Sequence, residues 1–155
     1  MKVTRIAHSH DLNPGKYNML VEQARLLGNL RKEIWQRYGS IKGVGRSYYD
    51  IRKEWVASKV FPQLSAKVWK ETLRDTLDDI KLYEAAAKKE VVKAIFIRTK
   101  DKDERKRLCK LLKGNDWVND KYLCRKMRQH KKHGKTQVSN QIILEGTTLY
   151  YTLFS

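Results

Sequence analysis

Three carboxylates in the middle of the chain have a spacing that could bind a metal ion. Asp75, Asp78 and Asp79 lie at i, i+3 and i+4, so a helix through them would place all three on one face. Metal-dependent phosphodiester cleavage requires carboxylates that converge from different elements around ions about 3.5–4 Å apart. One helix face does not enclose such a cage, and Arg74 and Lys81 lie beside it. We therefore predict a solvated acidic face here.

Two cysteines and two histidines supply atoms that zinc prefers, but in an unfavourable spacing. Cys109, Cys124, His130 and His133 follow the pattern Cys-x14-Cys-x5-His-x2-His, which lacks the close cysteine pair that anchors a zinc finger. Small buried thiols on helices explain the cysteines better. Two cysteines are also few for a disulfide framework, so we expect reduced thiols in a cytoplasm.

Two glycine-containing segments have features of phosphate sites. Gly134-Lys-Thr136 resembles the end of a phosphate-binding loop, but position 129, where that loop requires a glycine, is Gln129. Such a loop also joins a strand to a following helix, whereas this segment would join a helix to a strand. Gly43-Val-Gly45, next to Arg46, could let backbone amides approach a phosphate, although a flexible turn is the preferred interpretation. No nucleophile, base and orienting group come together, so we predict no catalytic residue, no metal and no cofactor.

Positive charge is concentrated in less than one third of the chain. Residues 88–135 contain eighteen Lys and Arg against six Asp and Glu, in a protein of net charge +17. Six acids cannot neutralise this segment, which favours a polyanion such as RNA or DNA as partner. We predict that it contacts nucleic acid through Arg105, Lys106, Arg107, Arg125, Lys126, Arg128, Lys131 and Lys132, with Trp117 as a base-stacking platform.

Contacts to phosphates position a nucleic acid, whereas reading its sequence requires side chains at base edges. Two places in the first half of the chain have suitable residues. One is the corner formed by Arg46 and Tyr49, and the other is an early basic helix face formed by Lys67, Lys70 and Arg74.

Helix signals divide the middle of the chain into about five helices that must position these residues. Asn13-Pro14 predicts a helix start and Gly39 its end, while Ser47 and Ser65 predict two further starts. The third helix is long, because its apolar stripe extends from Val68 to Ile95. Two shorter helices are predicted over residues 102–113 and 119–133.

Both ends of the chain have the character of β-strands. Residues 2–8 alternate, and residues 137–145 and 147–154 are rich in Val, Ile, Thr and Tyr without Lys or Arg, as in a hairpin. We therefore expect an α+β fold, in which residues 1–10 and 136–155 form a small sheet or partial barrel and residues 11–135 form an inserted helical recognition unit. No apolar run is long enough to span a membrane, which predicts a soluble protein without a membrane partner.

Several segments together carry a family resemblance. They are Leu12-Asn-Pro-Gly-Lys-Tyr17, Trp35-Gln-Arg-Tyr-Gly-Ser40, Tyr48-Tyr-Asp-Ile-Arg52, the long third helix, and the hairpin after the Lys-rich stretch. In this order they resemble the N-terminal part of RNA-guided DNA nucleases of the transposon-encoded TnpB type and the compact CRISPR type V effectors. The resemblance implies a wedge-like barrel and a helical recognition unit that grip guide RNA and target DNA, with Arg46, Tyr49 and the early helix face positioned to read a target-flanking motif.

The nuclease of that family is a RuvC-like domain with three dispersed carboxylates and usually a zinc ribbon, and neither pattern occurs in these 155 residues. We therefore expect the nucleic-acid-binding portion of such a protein, without its own cleavage activity, acting with a separate nuclease chain or a missing portion. A stand-alone DNA- or RNA-binding regulator remains the alternative. An enzyme in its own right is the weakest of the three hypotheses.

Overall fold

Five α-helices make up most of the described protein. The computed structural model describes residues 11–58 and 61–133, with side chains up to residue 130. The helices are α1 (Pro14–Tyr38), α2 (Tyr48–Ser58), α3 (Ala66–Arg98), α4 (Lys102–Lys113) and α5 (Lys121–His133). Short 3-10 turns at Ile41–Gly43 and Asp116–Val118 lie before α2 and α5. Among the helices described here, none is long and apolar enough to cross a membrane.

The expected α+β class is wrong, because the described residues contain neither a strand nor a sheet or barrel. The class was inferred from short alternating patterns at the two ends of the chain, and a few alternating residues are weak evidence for a sheet without an identified partner. The helical periodicity of residues 11–133 is the stronger signal. The segments 1–10 and 136–155, to which the strands were assigned, lie outside the described residues.

The predicted helix starts are confirmed, and side-chain caps form at two of them, whereas Ser65 lies at the N-cap of α3 without a side-chain hydrogen bond to the helix. The Asn13 carboxamide oxygen accepts a hydrogen bond from the Gly15 N–H at 2.8 Å, which satisfies an N–H of the first turn of α1. The Ser47 hydroxyl accepts from the Asp50 N–H at 3.2 Å and donates to the Asp50 carboxylate at 2.5 Å. In a capping box the acidic side chain accepts from the backbone N–H of the capping residue, whereas here the Asp50 carboxylate accepts from the Ser47 hydroxyl.

A first hydrophobic cluster joins the second half of α1, the helix α2 and the first half of α3. Its buried residues are Leu27, Leu30, Ile34, Ile51, Trp55, Leu64, Val68, Trp69, Leu73, Leu77 and Ile80. The Trp55 ring centroid lies 5.2 Å from that of Phe61 and 6.1 Å from that of Trp69. Burial of each large side chain contributes about 1.5–3 kcal/mol, so this aromatic group fixes α2 on α3.

A second hydrophobic cluster joins the second half of α3 to α4, α5 and the turn between them. Its buried residues are Ala87, Val91, Ile95, Leu108, Leu112, Trp117, Leu123 and Met127. Leu108 and Leu112 are one helical turn apart on α4, as are Leu123 and Met127 on α5. Each short helix therefore turns one apolar stripe towards α3 and leaves its other faces to solvent.

The helix α3 contributes to both clusters, and the loop between α1 and α2 connects them a second time. Ile41 and Val44 of this loop pack against the second cluster, although α1 and α2 belong to the first. A Cβ at Gly43 would collide with the Tyr38 carbonyl oxygen, and Gly45 has a φ of 81°. Both glycines are therefore required by a closely packed turn, which supports the turn interpretation of Gly43-Val-Gly45.

Two buried threonines on α3 have their hydroxyl groups satisfied within the helix. The Thr72 hydroxyl donates to the Val68 carbonyl at 2.9 Å, and the Thr76 hydroxyl donates to the Thr72 carbonyl at 2.7 Å. Both side chains lie within the stretch of α3 that contacts the first cluster. Their polar atoms thus cost little on burial, because each has a partner one turn earlier.

The acidic face at Asp75, Asp78 and Asp79 lies near a buried arginine. Arg31 of α1 is 5% exposed, and its burial lowers its pKa while Asp75 and Asp79 raise it. Arginine stays charged in proteins, so a buried guanidinium needs such counter-charges. Asp78 pairs with Lys81 at 3.4 Å. Asp78 and Asp79 are exposed, as in the predicted solvated face, whereas Asp75 is half-buried.

Apolar residues along α1 are buried only in its second half. Leu27 and Ile34 are buried, whereas Tyr17 and Val21 are 57% and 49% exposed. The periodicity is the same throughout, but the described elements that could cover a stripe pack only against the second half. Periodicity shows which residues share a face, and a neighbouring element decides whether that face is buried.

We expect replacement of Trp117 by alanine to destabilise the protein by about 3–5 kcal/mol, because it removes a large, fully buried side chain from the second cluster. Replacement of Tyr49, which is 75% exposed, serves as the control and should change stability by less than about 0.5 kcal/mol. Urea denaturation followed by circular dichroism measures both. Equal stability of the two variants would contradict the burial of Trp117.

Candidate nucleic-acid interface

One face of α4 consists of lysines. Lys102, Lys106, Lys110 and Lys113 are all exposed and lie at i, i+4, i+8 and i+11, which places them within about 80° of one another around the helix. Burial of the apolar stripe of α4 in the second cluster leaves these lysines on the solvent side. We call these four residues the α4 basic face.

A corresponding face lies on α5. Lys121, Arg125 and Arg128 are exposed at i, i+4 and i+7, while Leu123 and Met127 are fully buried on the other side. These three cations form the α5 basic face. Lys126 is half-buried at its edge. Lys131 and Lys132 belong to α5, but their side chains lie outside the described part of the chain.

Ion pairs are distributed unevenly between the basic faces and the rest of the described protein. Seven cations outside α4 and α5 have carboxylate partners one turn away or on a neighbouring element: Arg25 with Glu22, Arg37 with Glu33, Arg46 with Glu54, Arg74 with Glu71, Lys81 with Asp78, Lys88 with Glu84, and Lys93 with Glu90. Other exposed cations there, such as Lys32, Arg52 and Lys53, make no ion pair among the described residues. Within residues 11–58 and 61–130, no member of the α4 or α5 basic face makes an ion pair. Their charge therefore remains available to an external anion.

Four of the six acids of the basic segment lie at helix N-termini. The Asp101 carboxylate accepts from the Asp103 N–H at 3.1 Å at the start of α4, and Asp103 and Glu104 lie in its first turn. The Asp120 carboxylate accepts from the Leu123 N–H at 2.9 Å at the start of α5. Carboxylates in these positions stabilise a helix by capping it and by opposing its dipole. They neutralise neither basic face.

Two of the arginines predicted to contact nucleic acid make hydrogen bonds within the protein. The Arg105 guanidinium donates to the Thr99 carbonyl at 2.7 Å and to the Phe96 carbonyl at 3.0 Å, so it caps the end of α3. Arg107 donates to the Glu104 carboxylate at 2.9 and 3.0 Å, which lowers the pKa of Glu104. Lys106 between them has no such partner among the described residues and lies on the α4 basic face.

The structure does not support base stacking by Trp117. Its side chain is fully buried in the second cluster, in the turn between α4 and α5. A nucleotide base can stack only on an accessible ring face. The polar residues around it in the sequence suggested an exposed loop, but the apolar stripes of three helices converge on this position.

The structure brings the predicted reading corner together. The Arg74 guanidinium lies 5.5 Å from the centroid of the Tyr48 ring, and the Tyr48 and Tyr49 rings meet edge to face at 5.4 Å. Tyr48 is half-buried against the first cluster, whereas Tyr49 is the exposed ring of the pair. Arg46 pairs with Glu54 of α2 at 2.5 Å. The corner is therefore ordered by its own contacts.

A groove of about 530 Å³ passes this corner, between the loop before α2 and the middle of α3. Arg46 and Tyr49 line it, together with Lys81 and Lys88 of α3, which sequence analysis had not assigned to the corner. Lys88 pairs with Glu84 at 3.0 Å and donates to the Gly114 carbonyl at 3.1 Å. The spacing of seven residues between the two lysines was the signal that could have placed them on one face.

The remaining members of the early basic helix face lie at the start of α3. Lys67 is exposed, and the Lys70 ammonium lies 5.6 Å from the centroid of the Trp69 ring. With Arg74 they occupy i, i+3 and i+7, so the prediction that they share a face is confirmed by the helix. Their contact with nucleic acid remains a prediction.

Cys109 and Cys124 are both free thiols and half-buried. Among the residues that the structure describes, no group of three or more His, Cys, Asp or Glu could hold a metal ion.

A guanidinium on an aromatic ring is a feature that sequence analysis missed. The Arg98 guanidinium lies 3.9 Å from the centroid of the Tyr122 ring, at the junction of α3 and α5. The two residues are far apart in sequence, so no local pattern could reveal the pair.

Comparison of the chain with protein-family models, with curated proteins and with solved structures found no match.

The adjacent residues Arg105 and Lys106 should respond differently to replacement by alanine. Arg105→Ala removes two hydrogen bonds from carbonyls at the end of α3 and should destabilise the protein by about 1–2 kcal/mol. Lys106→Ala, on the solvent side of α4, should change stability by less than about 0.5 kcal/mol. Thermal unfolding measures both values. A larger loss for Lys106→Ala would refute the capping role of Arg105.

Proposed function

We propose that this chain is a nucleic-acid-binding module whose α4 and α5 basic faces hold the sugar-phosphate backbone. One observation carries the proposal: seven exposed cations stand on two neighbouring helices without an ion pair among the described residues, while the acids nearby are occupied at helix N-termini. Phosphates would replace the counterions of these cations, and release of the counterions drives binding.

The proposal extends to the kind of protein. The chain is proposed to serve as the nucleic-acid-binding portion of an RNA-guided DNA nuclease or transposon-associated protein of the TnpB type, gripping guide RNA and target DNA. Its support is the sequence resemblance: residues 12–17 and 35–40 lie at the two ends of α1, residues 48–52 begin α2, and a long α3 and two basic helices follow. The hairpin that belongs to the resemblance lies outside the described residues. The nuclease activity would come from a partner chain or a missing portion.

Within this proposal the two halves of the described chain have different tasks. In the corner at Arg46 and Tyr49 and the helix face at Lys67, Lys70 and Arg74, both arginines have carboxylate partners that order them, and Tyr49 presents an exposed ring. That chemistry suits reading a short target-flanking motif more than backbone affinity. A regulator without any nuclease partner would use the same α4 and α5 basic faces, and dependence on a guide RNA distinguishes the two.

We expect affinity for duplex DNA and structured RNA to fall roughly a thousandfold between about 50 and 200 mM salt, because about seven phosphate contacts are made. The slope of log K against log salt is negative, and replacing Lys121, Arg125 and Arg128 together by glutamate should make it shallower by about 2–3 for duplex DNA. Fluorescence anisotropy across a salt series measures both slopes.

A matched control has the same change in net charge at another place. Lys32, Arg52 and Lys53 are exposed on α1 and α2, and their joint replacement by glutamate should leave the slope close to that of the unmodified protein. If both triple variants reduce the slope equally, net charge alone governs binding and the assignment to α5 is rejected.

Variants of the reading corner should alter selectivity rather than total affinity. With guide RNA and a nuclease portion supplied, Arg46→Ala and Tyr49→Ala should each lose about 1–3 kcal/mol at the preferred flanking sequence and little at other sequences. Arg125→Ala and Arg128→Ala should weaken all sequences alike. A competition panel of duplexes that vary at the flanking positions, at fixed salt, separates the two patterns. Identical selectivity profiles would exclude sequence reading at the corner, and selectivity without guide RNA would favour the regulator.

A further inference from the structure

The end of α3 exposes apolar and aromatic side chains beside cations. Ile97 is 87% exposed and Phe96 is 51% exposed, although both belong to the last turn of a helix whose other apolar residues are mostly buried. Each neighbouring ring carries a guanidinium: Arg105 lies 4.6 Å from the Phe96 ring centroid, and Arg98 lies 3.9 Å from that of Tyr122. Exposed apolar surface bordered by polar groups in this way is typical of a binding site.

A cleft of about 500 Å³ lies on this surface. Ala94, Ile97 and Arg98 of α3 line one side, and Tyr122, Arg125 and Lys126 of α5 line the other. The Tyr122 hydroxyl donates to the Ala94 carbonyl at 3.3 Å, which fixes the ring across the two helices. The cleft therefore combines an apolar floor, a held aromatic ring and three cations.

The charges around the cleft favour an anion. Arg98 is exposed and has no ion pair within hydrogen-bonding distance among the described residues, although it contributes, after the larger effect of Arg107, to lowering the pKa of Glu104. Arg125 and Lys126 likewise have no described carboxylate partner. Glu104, whose pKa Arg98 helps to lower, already accepts two hydrogen bonds from Arg107 through its carboxylate.

We infer that this cleft binds an unpaired nucleotide, with its base stacked on the outer face of the Arg98 guanidinium and its phosphates held by Arg125 and Lys126. A guanidinium whose carbon lies 3.9 Å from a ring centroid is held on one side by that ring, and the planar group of an exposed arginine is a surface on which a base can stack. Ile97 then covers the edge of the base. Duplexes conceal their base faces within the stack, so the site selects single-stranded RNA or DNA.

This inference rests on the proposed function and adds a substrate class to it, since the α5 basic face and the cleft share Arg125. The basic faces require only phosphates, whereas the cleft requires a base. An oligonucleotide without bases therefore separates the two, because it retains every phosphate and removes every stacking partner.

The test compares strands of about 12 nucleotides, a length within the site sizes of single-strand binding folds. One strand is RNA, one is DNA, and a third carries abasic sites throughout. The unmodified protein should bind the base-containing strands more tightly than the abasic strand. Arg98→Lys keeps the charge but removes the planar guanidinium, and should lower affinity for the base-containing strands roughly five- to tenfold while leaving the abasic strand unchanged. The ratio of the RNA and DNA affinities shows which of the two the cleft prefers.

One further variant completes the design. Arg52→Lys makes the same exchange on α2, outside the cleft and both basic faces, and should leave the binding of all strands unchanged within twofold, about RT ln 2. Equal affinity of the unmodified protein for base-containing and abasic strands would overturn the inference, and so would equal effects of Arg98→Lys on both. If neither strand nor duplex DNA binds with a steep salt dependence, the proposed function fails as well.

Discussion

The apolar stripe of α3 is the constraint on which the other helices depend. It extends from Val68 to Ile95, and α1 and α2 pack on its first half while α4 and α5 pack on its second. Neither the pair α1 and α2 nor the pair α4 and α5 could bury its apolar stripes without α3, because an amphipathic helix gains stability chiefly from a partner surface. Ile41 and Val44, in the loop between α1 and α2, also pack against the second cluster and so form another connection between the two clusters. The relative position of the reading corner and the basic faces is thus set by one continuous helix.

The distribution of charge follows from the positions of the acids. On α1 and α3, several carboxylates lie one turn from a cation and pair with it, as Glu33 does with Arg37 and Glu90 with Lys93. On α4 and α5 the acids lie at the N-termini, so Lys and Arg are the charged residues of the last two turns of each helix. Surface ion pairs of the first kind contribute little stability. Their main effect here is to reduce the positive charge of α1 and α3 relative to that of α4 and α5.

The sequence predicted local structure well and three-dimensional surroundings less well. Asn13-Pro14, Ser47 and Ser65 located the helix starts because the residues that favour an N-terminus lie within one turn of it, although only Asn13 and Ser47 make a side-chain cap. Trp117 was misjudged because its burial depends on stripes from three helices that no local pattern relates. Arg105 looked like its basic neighbours, yet carbonyls at the end of another helix occupy it. The pairing of Arg98 with Tyr122 was equally invisible, whereas the shared face of Lys67, Lys70 and Arg74 followed directly from helical spacing.

The uninterrupted length of α3 has a mechanical consequence. With 33 residues and neither glycine nor proline, it forms a rod about 50 Å long, and a force applied to the α4 and α5 end is transmitted along its axis. The hydroxyls of Thr72 and Thr76, which bond to carbonyls one turn earlier, are features that favour curvature of a helix. Because both threonines are buried within the stretch of α3 that contributes to the first cluster, the curvature that they favour belongs to that half of the rod, at a distance from the α4 and α5 basic faces.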